Sequence, residues 1–107
     1  MGLIRGTLDV LVLKTISWAP MHAFEIISWL EERSNGRLTI DGPALIQALH
    51  RMEERKLITG EWGFSKNDRR ARYYRITTSG RAHLKAEIAK LSDDTDALMT
   101  VLTSKRG

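Results

Sequence analysis

Apolar residues recur at helical spacing in three stretches of the first half of the chain. The first begins near Thr7, which can cap a helix, and ends before Pro20, since a residue preceding proline avoids helical backbone. The second runs from about Met21 to Arg33 and precedes an Asn-Gly pair, a common helix stop. The third, from Ala44 to about Lys56, follows Asp41-Gly42-Pro43, a typical helix start. The pattern therefore predicts three helices.

The third predicted helix has two distinct faces. Four apolar residues are expected on its buried face: Leu45, Ala48, Leu49 and Met52. The opposite face is expected to present Ile46, Gln47, His50 and Glu54, with Arg51 at its margin. This outward face is free to contact a partner.

The second half of the chain predicts a β-hairpin and a long helix. Residues 57–64 and 71–77 flank a polar connection, residues 65–68, whose Asn and Asp suit a turn. A brief alternating segment, residues 37–40, predicts one further short strand. Thr78 or Ser79 is expected to open a last helix that continues to the vicinity of Lys105.

The last predicted helix carries an apolar seam with a heptad spacing, broken once by a threonine. The seam residues are Leu84, Ile88, Leu91, Thr95, Leu98 and Leu102. Such a narrow seam favours a partner helix and hence a homodimer. The alternative is an ordinary amphipathic helix that folds back on its own domain.

The order of elements indicates the fold class. Three helices followed by a hairpin form the winged helix-turn-helix arrangement, so we expect an α+β, mainly helical fold with a C-terminal dimerisation helix. Residues 1–77 would form the winged helix-turn-helix domain and residues 78–107 the dimerisation helix, together one structural unit. At 107 residues the chain is long enough for one core.

Composition excludes several classes of protein. The chain has no cysteine, which removes disulfides, thiolate zinc sites and cysteine nucleophiles. No apolar run approaches the roughly 20 residues that span a bilayer, and the N-terminus lacks a leader pattern. We therefore expect no membrane association and a cytoplasmic, nucleoid-associated protein. The net charge of +4 is only a weak indication of a nucleic-acid partner.

Candidate catalytic and ligand-binding groups are few. His22, His50 and His83 fall in different helices without the paired spacing of a metal site. No nucleophile motif or phosphate-binding glycine loop is present, so we expect neither an enzyme nor a metal or cofactor. Trp18 and Trp29 are weak candidates for binding a flat effector, although tryptophans more often serve as packing anchors.

The stretch SKNDRRARYYRIT, residues 65–77, carries the strongest functional signal. Side chains alternate along a strand, so Arg70, Arg72 and Tyr74 would share one face and Arg69 and Tyr73 the other. A row of guanidinium groups gains little from folding but binds a phosphate backbone well. Charge can also merely protect an edge strand. The helix about twenty residues upstream favours the DNA interpretation.

Several segments together resemble the PadR family of bacterial transcriptional regulators. They are Arg5 to Asp9 with Leu11 and Leu13, His22 to Ile26, Ala48 to Glu53, Leu57-Ile58, Gly60 to Trp62, Arg69 to Thr77, and Gly80. The short C-terminal part is similar to the subgroup with a single dimerising helix. The resemblance implies a homodimeric repressor that binds an inverted-repeat operator in double-stranded DNA, and a small, often aromatic, effector that can release it.

On this resemblance the third helix would enter the major groove and the wing would meet the flanking backbone. The predicted DNA-binding residues are Ala44, Gln47, His50, Arg51, Lys66, Asn67, Arg69, Arg70 and Arg72. Gln47 carries an amide that can read adenine. Phe24 and Ile46 stand where the family usually has tyrosines, so phosphate binding should depend more on the wing. Two alternatives stay open: a winged helix for protein–protein assembly, and a structure-specific nucleic-acid binder.

Overall fold

The structure is a computed structural model that describes residues 7–106. Its elements are, in chain order, α1 Thr7–Thr15, β1 Met21–His22, α2 Ala23–Arg33, α3 Gly42–Glu54, β2 Ile58–Phe64, β3 Arg70–Ile76 and α4 Thr78–Leu102. This is the expected α+β, mainly helical winged helix-turn-helix. Arg5 and Gly6 of the family-like motif lie outside the described residues.

The predicted start of the second helix at Met21 is wrong. Met21 and His22 form strand β1 and pair with Tyr74 and Tyr73 of β3, so α2 begins at Ala23. His22 is the N-cap: its Nδ1 accepts from the backbone N–H of Glu25 at 3.2 Å, and the Glu25 carboxylate accepts from the His22 N–H at 3.2 Å. This reciprocal capping box holds the residue before α2 extended and makes it available to the sheet.

The short strand predicted for residues 37–40 is also wrong. The segment follows Asn35 and Gly36, both in the left-handed region, and its backbone groups bond to side chains instead of a neighbouring strand. The Leu38 N–H donates to Ser34 Oγ at 3.0 Å and the Ile40 N–H to the Glu31 carboxylate at 3.5 Å. Ile40 is buried in the core. The alternating sequence pattern of residues 37–40 arises because Ile40 is buried within the loop between α2 and α3, not because the segment pairs as a strand.

The three strands form one antiparallel sheet in the order β1-β3-β2. The β2–β3 register runs from Ile58 opposite Ile76 to Phe64 opposite Arg70, which leaves residues 65–69 as the turn between the strands. This turn and Arg70, the first residue of β3, form the wing tip. Ser65 closes this tip, because its N–H donates to the Arg69 carbonyl at 2.8 Å and its carbonyl accepts from the Asp68 N–H at 2.9 Å. Asp68 adopts the left-handed backbone that Asp tolerates in turns.

A single core lies beneath the three N-terminal helices and the base of the sheet. Its fully buried members come from the three N-terminal helices, the segment after α1 and strand β2. They include Val12, Leu13, Ile16, Ile26, Leu45, Leu49, Met52 and Ile58. Because Leu45, Ala48, Leu49 and Met52 are all 0% exposed, the rotation of α3 about its axis is fixed. The predicted buried face of this helix is confirmed.

Helix α4 leaves the core after its first two turns. Thr77, one residue before the predicted start, is its N-cap and accepts from the Gly80 N–H at 2.9 Å. Arg81 donates to the Ser17 carbonyl at 3.1 Å, and Leu84 packs into the core. From residue 88 to its end the helix is exposed throughout, and the molecule is accordingly elongated, 64 Å in its longest dimension.

Candidate nucleic-acid interface

The exposed face of α3 forms one side of the candidate interface. Asp41 caps the helix by accepting from the Ala44 N–H at 2.9 Å, and Pro43 occupies the first turn. With its apolar face held in the core, α3 exposes Ile46, Gln47 and His50 and half-exposes Ala44. The predicted contact residues Ala44, Gln47 and His50 therefore lie together with Ile46 on one outward surface.

Arg51 lies at the edge of this surface, as predicted, but it is not free. Its guanidinium group donates to Asp9 Oδ1 of α1 at 3.2 Å. The pair is solvent-exposed on the arginine side, so it contributes on the order of 1 kcal/mol or less to stability. DNA contact by Arg51 requires that a phosphate compete with the Asp9 carboxylate.

The wing tip forms the other side. Lys66, Asn67, Arg69 and Arg70 are all exposed. Within residues 7–106, none of the three cations among them has a carboxylate within ion-pair distance. Their charges are therefore uncompensated, which raises the positive potential at the tip and favours an anionic partner.

Trp62 organises the base of the wing tip. Its ring lies on the helix-facing side of the sheet, and the Arg70 guanidinium stacks over it at 4.5 Å from the ring centroid. Arg72 is also within 5.7 Å of that centroid. Stacking on an indole restrains a guanidinium group while leaving its N–H donors available. Stacking on Trp62 therefore limits the orientations of the Arg70 guanidinium, while the side chain stays exposed at the wing.

The structure places Arg72 apart from the other wing arginines. Its guanidinium donates to Glu53 Oε2 of α3 at 2.6 Å, and both side chains are about one-third exposed. The hydrogen bond to Glu53 raises the pKa of Arg72 further above its ordinary value. Arg72 therefore tethers the wing to α3, and contact of Arg72 with DNA would require a phosphate to compete with the Glu53 carboxylate.

Three further residues of β3 attach the wing to the domain. Tyr74 is buried opposite Gly60, and Ile76 is buried opposite Ile58. On the other face, Tyr73 donates to the Phe64 carbonyl at 3.2 Å and packs edge-on against His22, 5.4 Å between ring centroids. The stretch 65–77 is therefore divided along its length into an exposed basic tip and a base in which Tyr73, Tyr74 and Ile76 are packed.

A cleft of about 970 Å³ separates α3 and the start of α2 from the wing. Its walls are formed by Phe24 of α2, Ile46 and His50 of α3, and Trp62 and Arg70 of the wing, among others. The positions at which family-like tyrosines are replaced, Phe24 and Ile46, thus both face this cleft. The candidate interface is one continuous concave surface, apolar inside and basic at the wing rim.

Sequence reasoning missed two contributors to this surface. Glu53 belongs to the family-like segment Ala48 to Glu53, but no local pattern links it to Arg72, which lies 19 positions later. Trp62 is predicted only as part of the family-like segment Gly60 to Trp62. Trp62 and Phe64 are two positions apart in β2, so their side chains lie on the same face of the sheet. Trp62 is opposite Arg72, which contacts α3, and this face is therefore the one toward the helices.

Burial of Tyr74 predicts a dependence of stability on alkaline pH. Burial raises the pKa of the Tyr74 phenol above its ordinary value, although the nearby Arg72 guanidinium acts in the opposite direction. The folded state holds this proton more tightly than the unfolded chain, so its stabilising contribution is complete below about pH 10 and is lost as the pH rises through the raised pKa.

We expect Tyr74→Phe to flatten the fall in the free energy of unfolding above about pH 10, measured by urea titration at several pH values. Tyr73→Phe is the matched control, because that ring is only partly buried and its hydroxyl bonds at the surface. The same steep decline in wild type and Tyr74→Phe would show that ionisation of this phenol does not limit alkaline stability.

The two effector candidates, Trp18 and Trp29, lie side by side on another surface. Their ring centroids are 5.4 Å apart, with the Lys14 ammonium 4.7 Å from Trp18 and the Arg33 guanidinium 5.1 Å from Trp29. Trp18 is largely exposed, while Trp29 packs partly against the core. Neither residue lines the cleft between α3 and the wing.

Two further properties concern residues 7–106 only. No three His, Asp or Glu side chains in this range are arranged to hold a metal ion. None of the helices α1–α4 is long and apolar enough to cross a bilayer.

The chain resembles several known proteins. Residues 12–86 match the model of the transcriptional regulator PadR-like family. An uncharacterised protein of Lysinibacillus sphaericus is 31% identical over 88 residues, covering 82% of this chain and 80% of that protein.

Solved structures of transcriptional regulators also superimpose on the chain. A PadR family transcriptional regulator from Eggerthella lenta superimposes with a TM-score of 0.81 at 25% identity, covering 94% of this chain and 86% of that one. Bacillus subtilis PadR in complex with operator DNA superimposes with a TM-score of 0.70 at 15% identity, over 79% of this chain and 48% of that one. The matched family comprises transcriptional regulators, not enzymes, and its model covers most of the chain. The chain therefore belongs to the PadR-like family of transcriptional regulators.

Proposed function

We propose that this regulator binds an inverted-repeat operator in double-stranded DNA as a homodimer and represses transcription from it. The observation that carries the proposal is that the exposed start of α3 and the uncompensated cations of the wing tip lie on one concave surface. The operator complex of Bacillus subtilis PadR, a protein of the same fold, supports it.

In the proposed complex, α3 contacts the bases and the wing contacts the phosphate backbone. An α-helix fits the major groove and presents its exposed side chains to the base edges. We therefore propose that Gln47 and His50, both exposed on α3, read the base sequence. Lys66, Arg69 and Arg70 extend from a separate element and would bind flanking phosphates. Base contacts would give specificity, and phosphate contacts would give affinity and position.

A binding titration tests this function against its two alternatives. We expect fluorescently labelled duplex DNA to bind at low salt, more tightly than the single strand of the same sequence, with affinity that falls as salt rises. Equal affinity for duplex and single strand would favour a structure-specific nucleic-acid binder. No binding of any DNA at low salt would favour a protein–protein module.

Homodimerisation is supported by the exposed seam of α4. Leu84 is buried within its own domain, whereas Ile88, Leu91, Leu98 and Leu102 are exposed in the single chain. Thr95 lies between them on the same stripe. An apolar stripe at heptad spacing on a projecting helix is stabilised when a second helix covers it, so a second copy of the chain is the occupant we propose.

We expect sedimentation to show a dimer at micromolar concentration and Leu98→Asp to shift it to monomer, since the new carboxylate would be buried in the seam. Asp94→Ala is the control, because this exposed residue is polar and not part of the seam. A wild-type protein that sediments as a monomer would exclude the seam as a dimer interface.

A small aromatic effector forms the last part of the proposal. The Trp18–Trp29 pair, in which Trp18 is exposed, offers aromatic surface flanked by cations, which suits a planar anion. Addition of an aromatic carboxylate such as benzoate should quench tryptophan fluorescence in wild type and less so in Trp18→Leu. Equal quenching in both proteins would remove this pair as the effector site.

A further inference from the structure

Apolar side chains are unusually exposed on the surface that faces DNA in the proposed function. Phe24 is 75% exposed, Trp62 is 59% exposed and Ile46 is 40% exposed, and all three line the cleft between α3 and the wing. Trp62 supports Arg70, and Phe24 lies in the first turn of α2. Ile46 is different, because it lies in the N-terminal half of α3, beside Gln47.

The fold prevents Ile46 from turning inward. Its neighbours Leu45 and Ala48 are 0% exposed and fill the space beneath α3, and the Asp41 cap fixes where the helix begins. A residue one position from Leu45 lies about 100° round the helix, which directs the Ile46 side chain outward. The side chain is therefore presented to whatever contacts the start of α3.

The chemistry of the major groove limits what an isoleucine can meet there. Base edges in this groove present hydrogen-bond donors and acceptors, and the one apolar group among them is the C5-methyl of thymine. Isoleucine has no hydrogen-bonding group in its side chain, so it can distinguish base pairs only by contact with that methyl or by exclusion. Gln47, the next residue, offers the amide that suits adenine.

We infer that Ile46 is a specificity-determining residue that packs against a thymine methyl group in each half-site of the operator. The inference rests on the proposed function and adds to it the class of base that this position reads. It also implies that the half-site step read by the start of α3 consists of A·T pairs, with Gln47 on an adjacent adenine.

The expected effect of each methyl contact is modest but measurable. Burying one methyl-sized apolar group corresponds to about a fourfold change in affinity, which is about 0.8 kcal/mol. Two symmetric half-sites would give about fifteenfold when both methyl groups are removed. The loss should be confined to the thymines that Ile46 contacts.

Replacement of thymine by uracil tests the inference, because it removes the methyl group and leaves the base-pairing edge unchanged. A duplex selected by wild-type protein from random sequence is synthesised with uracil at one A·T pair of each half-site in turn. We expect one symmetric pair of replacements to weaken wild-type binding by about fifteenfold. The same replacement should have less than a twofold effect on Ile46→Ala.

The matched control is Gln47→Ala, which changes the neighbouring exposed residue and leaves Ile46 in place. This variant should bind more weakly overall yet keep the difference between thymine and uracil. Equal wild-type affinity for all uracil duplexes, or a difference that persists in Ile46→Ala, would overturn the inference while leaving DNA binding intact. Absence of any selected duplex would instead contradict the proposed function.

Discussion

Gly80→Ala should cost the protein about 3 kcal/mol of stability or more and lower its Tm by at least about 12 °C. A Cβ at this position would overlap the Leu57 carbonyl oxygen and lie 2.8 Å from Ile76 Cγ1. Backbone cannot move aside as a flexible side chain can. The same carbonyl accepts from the Thr77 N–H and hydroxyl, at 3.1 and 3.0 Å, so a shift would also disturb the cap of α4.

Gly42→Ala is the matched control for this prediction. Gly42 also lies in the first turn of a helix, α3, but a Cβ there would have no neighbour within 4 Å. We expect its Tm to stay within a few degrees of wild type or to rise slightly. Thermal unfolding followed by circular dichroism measures both variants. A Gly80→Ala protein as stable as Gly42→Ala would show that α4 does not pack tightly on the α3–β2 connection.

The second large effect is expected from Arg69→Ala/Arg70→Ala. If both guanidinium groups bind phosphates, their loss should weaken binding to every duplex by on the order of tenfold per contact at 0.1 M salt. The slope of log affinity against log salt should become shallower by about 0.9 for each contact. Arg70 is already stacked on Trp62, so little ordering is required when it binds.

Lys105→Ala/Arg106→Ala is the control for net charge. It removes two positive charges from exposed residues beyond the end of α4, far along the chain from the wing. The control should leave the salt slope unchanged. Should the wing variant keep the wild-type slope as well, Arg69 and Arg70 would lie outside the interface.

The wing shows what the sequence can predict. Alternation along β3 places the buried Tyr74 and Ile76 on one side and the exposed Arg75 on the other, because successive side chains on a strand point to opposite sides. The same rule puts Arg72 on the helix-facing side. It could not reveal Glu53 as the partner of Arg72, since that contact depends on how α3 packs against the sheet.

Short elements account for most of the differences between expectation and structure. Met21 and His22 form a strand only because Tyr73 and Tyr74 supply its partner, a contact made across about fifty residues. Ser34 and Glu31 supply the hydrogen bonds that replace a strand at residues 37–40. Long periodic segments such as α3 carry their own signal, and the predicted buried face of α3 agrees with the structure. The seam predicted on α4 differs at its first residue, because Leu84 is buried in its own domain.

The two sides of the cleft between α3 and the wing differ in the groups they can offer to DNA. Phe24 and Ile46 offer no hydroxyl to phosphate, while the basic tip carries three cations without carboxylate partners among residues 7–106. We therefore expect backbone affinity to come mainly from the wing and base discrimination from α3. Substitutions in the wing should therefore alter the salt dependence of DNA binding, whereas substitutions on the exposed face of α3 should alter the preference for base sequence.

Selection of bound sequences from random duplex DNA tests the central claim most directly. If a homodimer reads DNA through two copies of α3, the enriched sequences should share two inverted half-sites at a fixed spacing of about one helical turn or a multiple of it. Enrichment of a palindrome would establish the reader and the dimer together. Recovery of random sequence after repeated rounds, under conditions in which the protein is folded, would contradict the proposed regulator.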